Sequence, residues 1–409
     1  MIILEKSMKK KLKNNILTLG QAASKAKKEN PNVINSTSGM LFDEDNKLYT
    51  FHSVKKAMSE LTYETMFKYS DTSGSQRFKD SIISWMFGDK IDAFSSFHKG
   101  VVATPGGSGA ISLTYSTYLN RGDKVLLPKV MWETYITYAE ERECSYLTYE
   151  LFDENSRFNL NSIKESIDQL KEQENVLLII NDPCQNPTGF CMNDEDYDNL
   201  INLLNSYSRN IVLLMDVAYF DYYSSNGDIV RERFAKLSRL NDNILLIFAF
   251  SGSKTFGLYG LRVGAAICLS RNEKEIEFFK NCYEYIARGT WSSVSTLGTG
   301  LIEELVLNDE YKELFKEEVK TMSQLMEERT NIFLEEAKRV NLDTLPYERG
   351  FFICVPTSSP VKLMDSLKKD NVYVIVTKTC IRIALCAINK DECRRLPSII
   401  KNRMIKENL

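Results

Sequence analysis

Histidine and tryptophan are scarce in this sequence, which has two histidines and three tryptophans among 409 residues. His52 and His98 do not stand in a metal-ligand pattern, which argues against a histidine-based zinc site and a Ser-His-Asp triad. No apolar run reaches about 18 residues, so we predict no membrane-spanning helix. The net charge of −3 is small, and we expect neither nucleic acid nor membranes as partners.

The nine cysteines lack a pairing pattern, because their number is odd and no Cys-x-x-Cys spacing occurs. We therefore expect reduced, mostly buried thiols and a cytoplasmic protein. Met1 to Lys13 has three apolar residues followed by lysines, and it lacks the apolar core and cleavage site of a signal peptide. The length allows two domains, or one large domain with a smaller one attached.

A lysine placed directly after an apolar run is the most informative feature of the chain. The run from Ile244 to Phe250 predicts a strand, and it ends at Ser251-Gly252-Ser253-Lys254, with Arg262 a short distance further on. Such a lysine is either a solvated loop residue or an amine that forms a Schiff base with a carbonyl cofactor. The neighbouring hydroxyls and the arginine would hold a phosphate group.

A glycine-rich turn follows an earlier predicted strand, Val101 to Thr104. Pro105 to Ala110 contains three glycines and opens an apolar helix that continues to Leu119. Glycines between a strand and a helix let backbone N–H groups approach an anion, and the helix dipole adds attraction. The spacing is not the G-x-G-x-x-G of a dinucleotide site.

Two further predicted strands end in polar residues. Glu174 to Ile180 leads into a turn at Asn186-Pro187-Thr188-Gly189, where the asparagine amide can donate a hydrogen bond to an oxygen anion. Asn210 to Met215 ends at Asp216, and a carboxyl at the end of a buried strand is costly unless it is paired. The alternative for Asp216 is that it caps the next helix.

Taken in order, these motifs resemble the fold-type I pyridoxal-phosphate enzymes, and class I aminotransferases in particular, from about Gly39 to Arg382. The resemblance implies that Lys254 forms a Schiff base with pyridoxal 5′-phosphate and that Asp216 pairs with the pyridine nitrogen. Further cofactor contacts that it implies are Tyr219 and Asn186 at the phenolate oxygen, Trp132 stacked on the ring, and Gly107, Ser108, Ser251, Arg262 and Tyr69 around the phosphate. Tyr69 would reach the cofactor of the neighbouring subunit, which implies a homodimer with shared sites.

On the substrate side, the resemblance implies that Arg382 binds the α-carboxylate, that Gly39 lies close to it and that Asn186 also contacts the substrate. Arg288 falls where enzymes for dicarboxylic amino acids receive the side-chain carboxylate, with an ordinary salt-bridged arginine as the alternative. Arg288 and Trp291 suggest an acidic or aromatic amino acid, whose amino group passes to a 2-oxo acid such as 2-oxoglutarate in ping-pong fashion. Lys254 would act as general base and then acid, Asp216 and Tyr219 would assist, and no metal is implied.

Other functions on related scaffolds are kept as alternatives. A C–S lyase or related eliminating enzyme, or a cyclopropane-forming synthase, would use the same cofactor machinery. A sensory domain of a transcription regulator would carry a winged helix, whereas only about 35 residues precede the expected fold. A catalytically silent binding protein is disfavoured because Lys254, Asp216 and Arg382 are all present.

The resemblance and the alternation of strands with helices predict an α/β protein with two domains. The large domain, 46–305, would hold a mostly parallel seven-stranded sheet between helices. A smaller α+β domain with an N-terminal arm would combine 1–45 and 306–409, and a long helix over Tyr311 to Val340 would link the two. In the smaller domain we predict strands at 350–355, 372–376 and 379–385 and a helix at 361–370.

Overall fold

The computed structural model describes Ile2, Ser7, Lys10 and residues 16–224 and 227–409. Most of the lysine-rich start, on which the expectation about a signal peptide rests, lies outside the described residues. Internal contacts divide the chain into two compact units, a larger one of 49–327 and 346–350 and a smaller one of 1–48, 328–345 and 351–409. The predicted domain boundaries stay a prediction.

The strands of the described residues are, in chain order, β1 (Ile34–Asn35), β2 (His98–Thr104), β3 (Lys124–Pro128), β4 (Ser145–Tyr149), β5 (Asn175–Asn181), β6 (Asn210–Asp216), β7 (Ile244–Ser251), β8 (Gly264–Ser270), β9 (Phe352–Pro356), β10 (Val372–Tyr373), β11 (Ile375–Val376) and β12 (Cys380–Ala384). The α-helices are α1 (Ile16–Glu29), α2 (His52–Glu60), α3 (Tyr63–Phe67), α4 (Gln76–Phe87), α5 (Gly106–Tyr118), α6 (Thr134–Glu141), α7 (Leu160–Asp168), α8 (Asp194–Asn205), α9 (Asp228–Lys236), α10 (Gly252–Thr255), α11 (Glu273–Thr290), α12 (Thr296–Leu307), α13 (Asp309–Arg339), α14 (Pro360–Lys368) and α15 (Lys390–Glu407). Short 3₁₀ helices lie at Gly88–Phe94, Phe220–Tyr222, Leu237–Arg239 and Leu385–Ala387.

The larger unit is built on a seven-stranded sheet with the strand order β2-β8-β7-β6-β5-β3-β4. Only β8 runs antiparallel to its neighbours, β2 and β7, and the remaining pairs are parallel. In register, Asn181 at the end of β5 lies beside Asp216 at the end of β6, and Asp216 lies beside Ala249 of β7. The polar strand ends noted in the sequence therefore meet at one edge of the sheet.

The central strands are buried along almost their whole length, which explains why they appear in the sequence as continuous apolar runs. Helix α5 packs its buried face on the sheet, and α11 adds Phe279 and Tyr283 to the same core. The core thus holds the carboxyl ends of β5, β6 and β7 in fixed positions beneath the loops that follow them.

The smaller unit contains two short sheets. An antiparallel sheet has the order β11-β12-β9, and β1 pairs in parallel with β10. Arg329 lies fully buried in this unit, where it donates hydrogen bonds to the carboxylate of Glu44 and to the carbonyl oxygen of Phe42. Since Glu44 provides the opposite charge, this arginine is paired despite its burial.

The predicted elements agree with the structure in kind and differ at their ends. The long helix spans Asp309–Arg339, close to its predicted limits. The single strand predicted over 372–376 is two strands, because Val372 pairs with Ile34 whereas Ile375 pairs with Arg382 in the other sheet. The α/β class with a mostly parallel seven-stranded sheet is confirmed.

In the described part of the chain, none of the helices combines the length and the apolar character needed to cross a bilayer. Nor do its histidine, cysteine and acidic side chains form a group of three or more arranged to hold a metal ion.

Candidate active site

Asp216 lies at the centre of the polar edge of the sheet. Its carboxylate is buried and accepts hydrogen bonds from the hydroxyl of Tyr135 and from the backbone N–H of Ala218, the latter at 3.2 Å. Burial raises the pKa of the Asp216 carboxyl to about 6, against these two hydrogen bonds and the charge of Lys254, which lower it. The carboxyl is therefore poised to meet a cationic N–H group.

The loop after β5 is tied to Asp216 through Asn181. The Asn181 amide donates to the backbone carbonyl of Asp216 at 2.7 Å, and its side-chain oxygen accepts from the backbone N–H of Asn186 at 2.8 Å. Gln185 strengthens the loop by donating to the carbonyl of Val130 at 2.7 Å. Asn186 is buried in the same loop, and these hydrogen bonds hold its backbone close in space to the end of the Asp216 strand.

Lys254 lies in α10, a single helical turn that directly follows β7. Its Nζ is 5.0 Å from the centroid of the Tyr259 ring and 5.5 Å from that of the Tyr219 ring, and its backbone carbonyl accepts a hydrogen bond from Tyr222 at 3.2 Å. The lysine is half-buried, and its charge acts on the carboxyl of Asp216. The amine, Tyr219 and Asp216 thus belong to one local group.

An anion cradle lies at the start of α5. A Cβ atom built on Gly106 would stand 2.7 Å from Nη2 of Arg262, so the guanidinium occupies the space that glycine leaves open there. A Cβ on Gly107 would contact that of Ser251 at 3.4 Å, and Nη1 of Arg262 donates to the Ser253 hydroxyl at 2.9 Å. A helix N-terminus, two serine hydroxyls and an arginine provide donors for a phosphate group.

Aromatic side chains form one wall beside this group. Trp132 is half-buried, and its ring meets that of Tyr135 edge-to-face with centroids 5.4 Å apart. Tyr138, one turn further along α6, forms a side-chain hydrogen bond with Ser108. Trp132 therefore lies next to the tyrosine that donates to Asp216, and Ser108 is linked to the same helix.

Tyr135, Tyr138 and Asn181 take part in this site although the sequence analysis gave them no role. The two tyrosines follow Trp132 at intervals of three residues, which is helical spacing, so recognition of α6 would have pointed to them. Asn181 carries no such signal, since its function depends on the pairing of β5 with β6.

Arg382 and Gly39 belong to the smaller unit. Arg382 is buried in β12 opposite Cys354, its Nη2 donates to the carbonyl of Thr37 at 3.0 Å, and its guanidinium carbon lies 4.2 Å from the centroid of the Phe352 ring. Gly39, two residues beyond Thr37, is half-buried. The structure thus brings the arginine against the segment that leads to Gly39.

The structure places Tyr69 and Arg288 on the surface of the chain. Tyr69 has a relative exposure of 94%, in the turn after α3. Arg288 is exposed in the last turn of α11 and donates to the Ser292 hydroxyl at 2.8 Å. These two predicted site residues are therefore not among the buried group around Asp216 and Lys254.

Comparison with solved structures identifies the fold. The structure superposes on that of an aminotransferase from Anaerococcus prevotii with a TM-score of 0.94 at 28% identity, covering 98% of this chain and 99% of the other. An aromatic-amino-acid aminotransferase from Burkholderia pseudomallei, covalently bound to pyridoxal phosphate, gives a TM-score of 0.80 at 20% identity with 98% and 100% covered. The fold is that of a fold-type I pyridoxal-phosphate enzyme.

Sequence comparison identifies the family within the fold-type I pyridoxal-phosphate enzymes. The family model described as aminotransferase class I and II matches residues 31–400, and the chain belongs to this family. The mitochondrial aspartate aminotransferase of Xenopus tropicalis is 23% identical over 366 residues, which cover 87% of this chain and 84% of the relative. The aromatic-amino-acid aminotransferase of Pseudomonas aeruginosa is 26% identical over 275 residues, covering 66% and 67%.

The chain is therefore an aminotransferase, and its cofactor is pyridoxal 5′-phosphate, as the motifs predicted. These comparisons do not favour the lyase alternative. The residues present fit the cofactor, because the cradle at Gly106 supplies anion donors and the buried Asp216 supplies an acceptor for a protonated ring nitrogen.

Replacing Asp216 with Asn should change how the stability of the cofactor-free protein depends on pH. Because folding raises the pKa of this carboxyl from about 4 to about 6, ionisation penalises the folded state, increasingly so from pH 4 to pH 6 and constantly above. Between pH 5 and pH 7.5 the variant should gain about 1 kcal/mol of unfolding free energy relative to the wild type. Urea denaturation of the two proteins measures this, with the exposed Asp45→Asn as control, and a pH-independent difference for Asp216→Asn would contradict the assignment.

Proposed function

We propose that this aminotransferase acts on an acidic or aromatic L-amino acid, with a 2-oxo acid such as 2-oxoglutarate as acceptor. The relatives named above act on aspartate and on aromatic amino acids according to their names. The sequence offers Arg288 for a side-chain carboxylate and Trp291 for an aromatic ring. A panel of amino donors assayed with 2-oxoglutarate would identify the preferred substrate.

We propose that Lys254 holds the cofactor covalently and that Asp216 pairs with its ring nitrogen. The observation that carries this proposal is the buried Asp216 carboxylate, which accepts from Tyr135 and feels the charge of Lys254. When bound, the cofactor supplies an electron sink for the substrate Cα. Asn186 and Tyr219 would donate to the phenolate oxygen.

The remaining cofactor contacts are proposed from their place around the cradle. Trp132 would stack on the ring, since it lies beside Tyr135. The phosphate would be held by Gly107, Ser108, Ser251 and Arg262. This set combines the N-terminus of α5 with hydroxyl and guanidinium donors, which together suit a dianion.

The proposed chemistry uses the chain's own proton-transfer group. The Nζ of Lys254, once released by the incoming amino acid, would remove the proton from the substrate Cα as a base and then deliver it as an acid to C4′ of the cofactor, so that the amino group passes to the cofactor. Arg382 binds the α-carboxylate with a two-pronged guanidinium, and Gly39 lies next to that carboxylate. The half-buried position of Lys254 limits its contact with water. Exchange of the amino group with a second oxo acid completes a ping-pong cycle.

We propose that two copies of the chain form a homodimer in which Tyr69 reaches the cofactor phosphate of the partner. Tyr63 and Phe67 stack with ring centroids 6.2 Å apart, and with Tyr69 they form an exposed aromatic surface at 63–69. Burial of such a surface between copies would stabilise the assembly. We also propose a cytoplasmic location, which the nine free cysteines, eight of them buried, support.

Replacing Lys254 with Ala should abolish both the visible absorbance of the bound cofactor and transamination, because no other amine would occupy the position after β7. Absorbance spectra and a coupled assay with 2-oxoglutarate measure the two effects. The exposed Lys274→Ala should behave as wild type. If the Lys254 variant kept its absorbance and turnover, the proposed role of this lysine would be refuted.

Replacing Arg288 with Ala should lower kcat/KM for aspartate and glutamate about a hundredfold, because a carboxylate would lose a charged hydrogen-bond partner. For phenylalanine and tyrosine the change should stay within about threefold. Steady-state kinetics with all four donors measures the difference, and the exposed Arg121→Ala serves as control. Equal losses for acidic and aromatic donors would rule out a side-chain contact.

Mixing two impaired variants, Lys254→Ala and Tyr69→Ala, tests the shared site. In a hybrid of a Lys254→Ala subunit with a Tyr69→Ala subunit, one site carries both defects and the other carries none. Activity at limiting cofactor should therefore rise after subunit exchange above that of either variant alone. Sedimentation analysis checks that dimers form, and a mixture that never exceeds its parents would argue that each site is complete within one chain.

A further inference from the structure

Asp221 is a buried carboxyl that the proposed chemistry does not use. It lies in the 3₁₀ helix Phe220–Tyr222, shortly after the strand end at Asp216, with a relative exposure of 8%. An ionisable group in the interior is costly unless its neighbours compensate for the loss of water. Its contacts therefore indicate what it is for.

The carboxylate of Asp221 is directed at the turn that carries Lys254. Its Oδ2 accepts a hydrogen bond from the hydroxyl of Thr255 at 2.6 Å and one from the indole N–H of Trp85 at 3.4 Å. Thr255 is the residue directly after Lys254 and is itself buried. The next residue of the same 3₁₀ helix, Tyr222, donates from its hydroxyl to the Lys254 carbonyl at 3.2 Å.

These contacts matter because α10 has little structure of its own. It comprises four residues, Gly252–Thr255, so its internal backbone hydrogen bonds amount to about one turn. Backbone bonds join Phe256 N–H and Leu258 N–H to the Gly252 carbonyl at 3.1 and 3.3 Å, and Gly252 N–H to the Val263 carbonyl at 3.0 Å. These bonds anchor the start of the turn at Gly252, whereas the side chains of Asp221 and Tyr222 anchor its end at Thr255 and Lys254.

The positive charge of Arg231 acts on the carboxylate of Asp221. Burial raises the pKa of the Asp221 carboxyl to about 6, while Thr255, the charge of Arg231 and Trp85 lower it. Arg231 donates to the backbone carbonyl of Trp85, and the Ser323 hydroxyl donates to the backbone carbonyl of Asp221 at 3.3 Å. The charge that lowers the pKa of Asp221 is that of Arg231, and the contact of Asp221 with the Lys254 turn is its hydrogen bond from Thr255.

We propose that Asp221 is a positioning residue that orients Lys254 for its link to the cofactor by accepting a hydrogen bond from Thr255, with Tyr222 securing the preceding carbonyl. This inference rests on the proposed role of Lys254. A side chain held in its productive orientation before the cofactor arrives forms its covalent link without a further ordering cost.

Four variants test the proposal. Asp221→Leu removes the acceptor, Thr255→Val removes the donor at nearly constant shape, and Asp221→Asn keeps an acceptor oxygen without the charge. Thr114→Val is the matched control, since Thr114 is equally buried and hydrogen-bonded, to Tyr283 and to the Ala110 carbonyl, but lies within α5. For each protein, fluorescence quenching gives the Kd of pyridoxal phosphate. A pH titration followed by visible absorbance gives the midpoint pH at which the absorbance of the bound cofactor changes.

Asp221→Leu and Thr255→Val should each raise the Kd about tenfold, which corresponds to one lost hydrogen bond, and should shift the pH midpoint. A fifth protein that combines Asp221→Leu with Thr255→Val should bind the cofactor no more weakly than either single variant, because both changes remove the same contact. Asp221→Asn should stay within about threefold of wild type and keep its midpoint. Thr114→Val should lower the melting temperature of the cofactor-free protein without changing the Kd or the midpoint.

A wild-type Kd and midpoint in Thr255→Val would overturn the proposal, and this variant decides the question even if Asp221→Leu does not fold. An Asp221→Asn protein as weak as Asp221→Leu would also overturn it, since the charge rather than the acceptor would then matter. Failure of the underlying role of Lys254 is recognised separately, by visible absorbance that persists in Lys254→Ala.

Discussion

The burial of a carboxylate at the end of β6 is the constraint around which the rest of the site is arranged. Asp216 loses most of its contact with water, and the hydrogen bonds from Tyr135 and Ala218 offset only part of that cost, because the pKa still lies near 6. The cost is acceptable if a cation pairs with the carboxylate during function. Within the chain, the positive charge of Lys254 lowers the pKa of Asp216 only slightly, so the carboxylate can still pair with a further cation.

Side chains that hold one another in place account for the rigidity of this edge. Asn181 connects Asp216 to Asn186 through two hydrogen bonds at the ends of adjacent strands. On the other side, Asp221 and Tyr222 bind the turn of Lys254. Asp216 and Lys254 therefore each have neighbours that hold them in place, and these neighbours come from the end of β5 and from the segment that follows β6.

The sequence was most informative where local pattern and chemistry coincide. The apolar runs of β5, β6 and β7 and the polar residues at their ends are visible without any structure, because parallel buried strands have no polar face. Strand β4 was missed because it lies at the edge of the sheet and is only partly buried. Tyr135 and the division of 372–376 into two strands depend on long-range packing and pairing, which local pattern does not encode.

The residues proposed to bind the cofactor and the residue proposed to select the substrate differ in burial. The proposed cofactor residues Asp216 and Asn186 are buried, and the backbone of each is hydrogen-bonded to the side chain of Asn181, so substitutions there should disturb packing as well as reactivity. Arg288 is exposed and bonded only to Ser292 among its described contacts, so replacing it would disturb little of the fold. If Arg288 contacts the substrate side chain as proposed, a change at this exposed position would alter substrate preference and leave the buried residues of the proposed cofactor site in place.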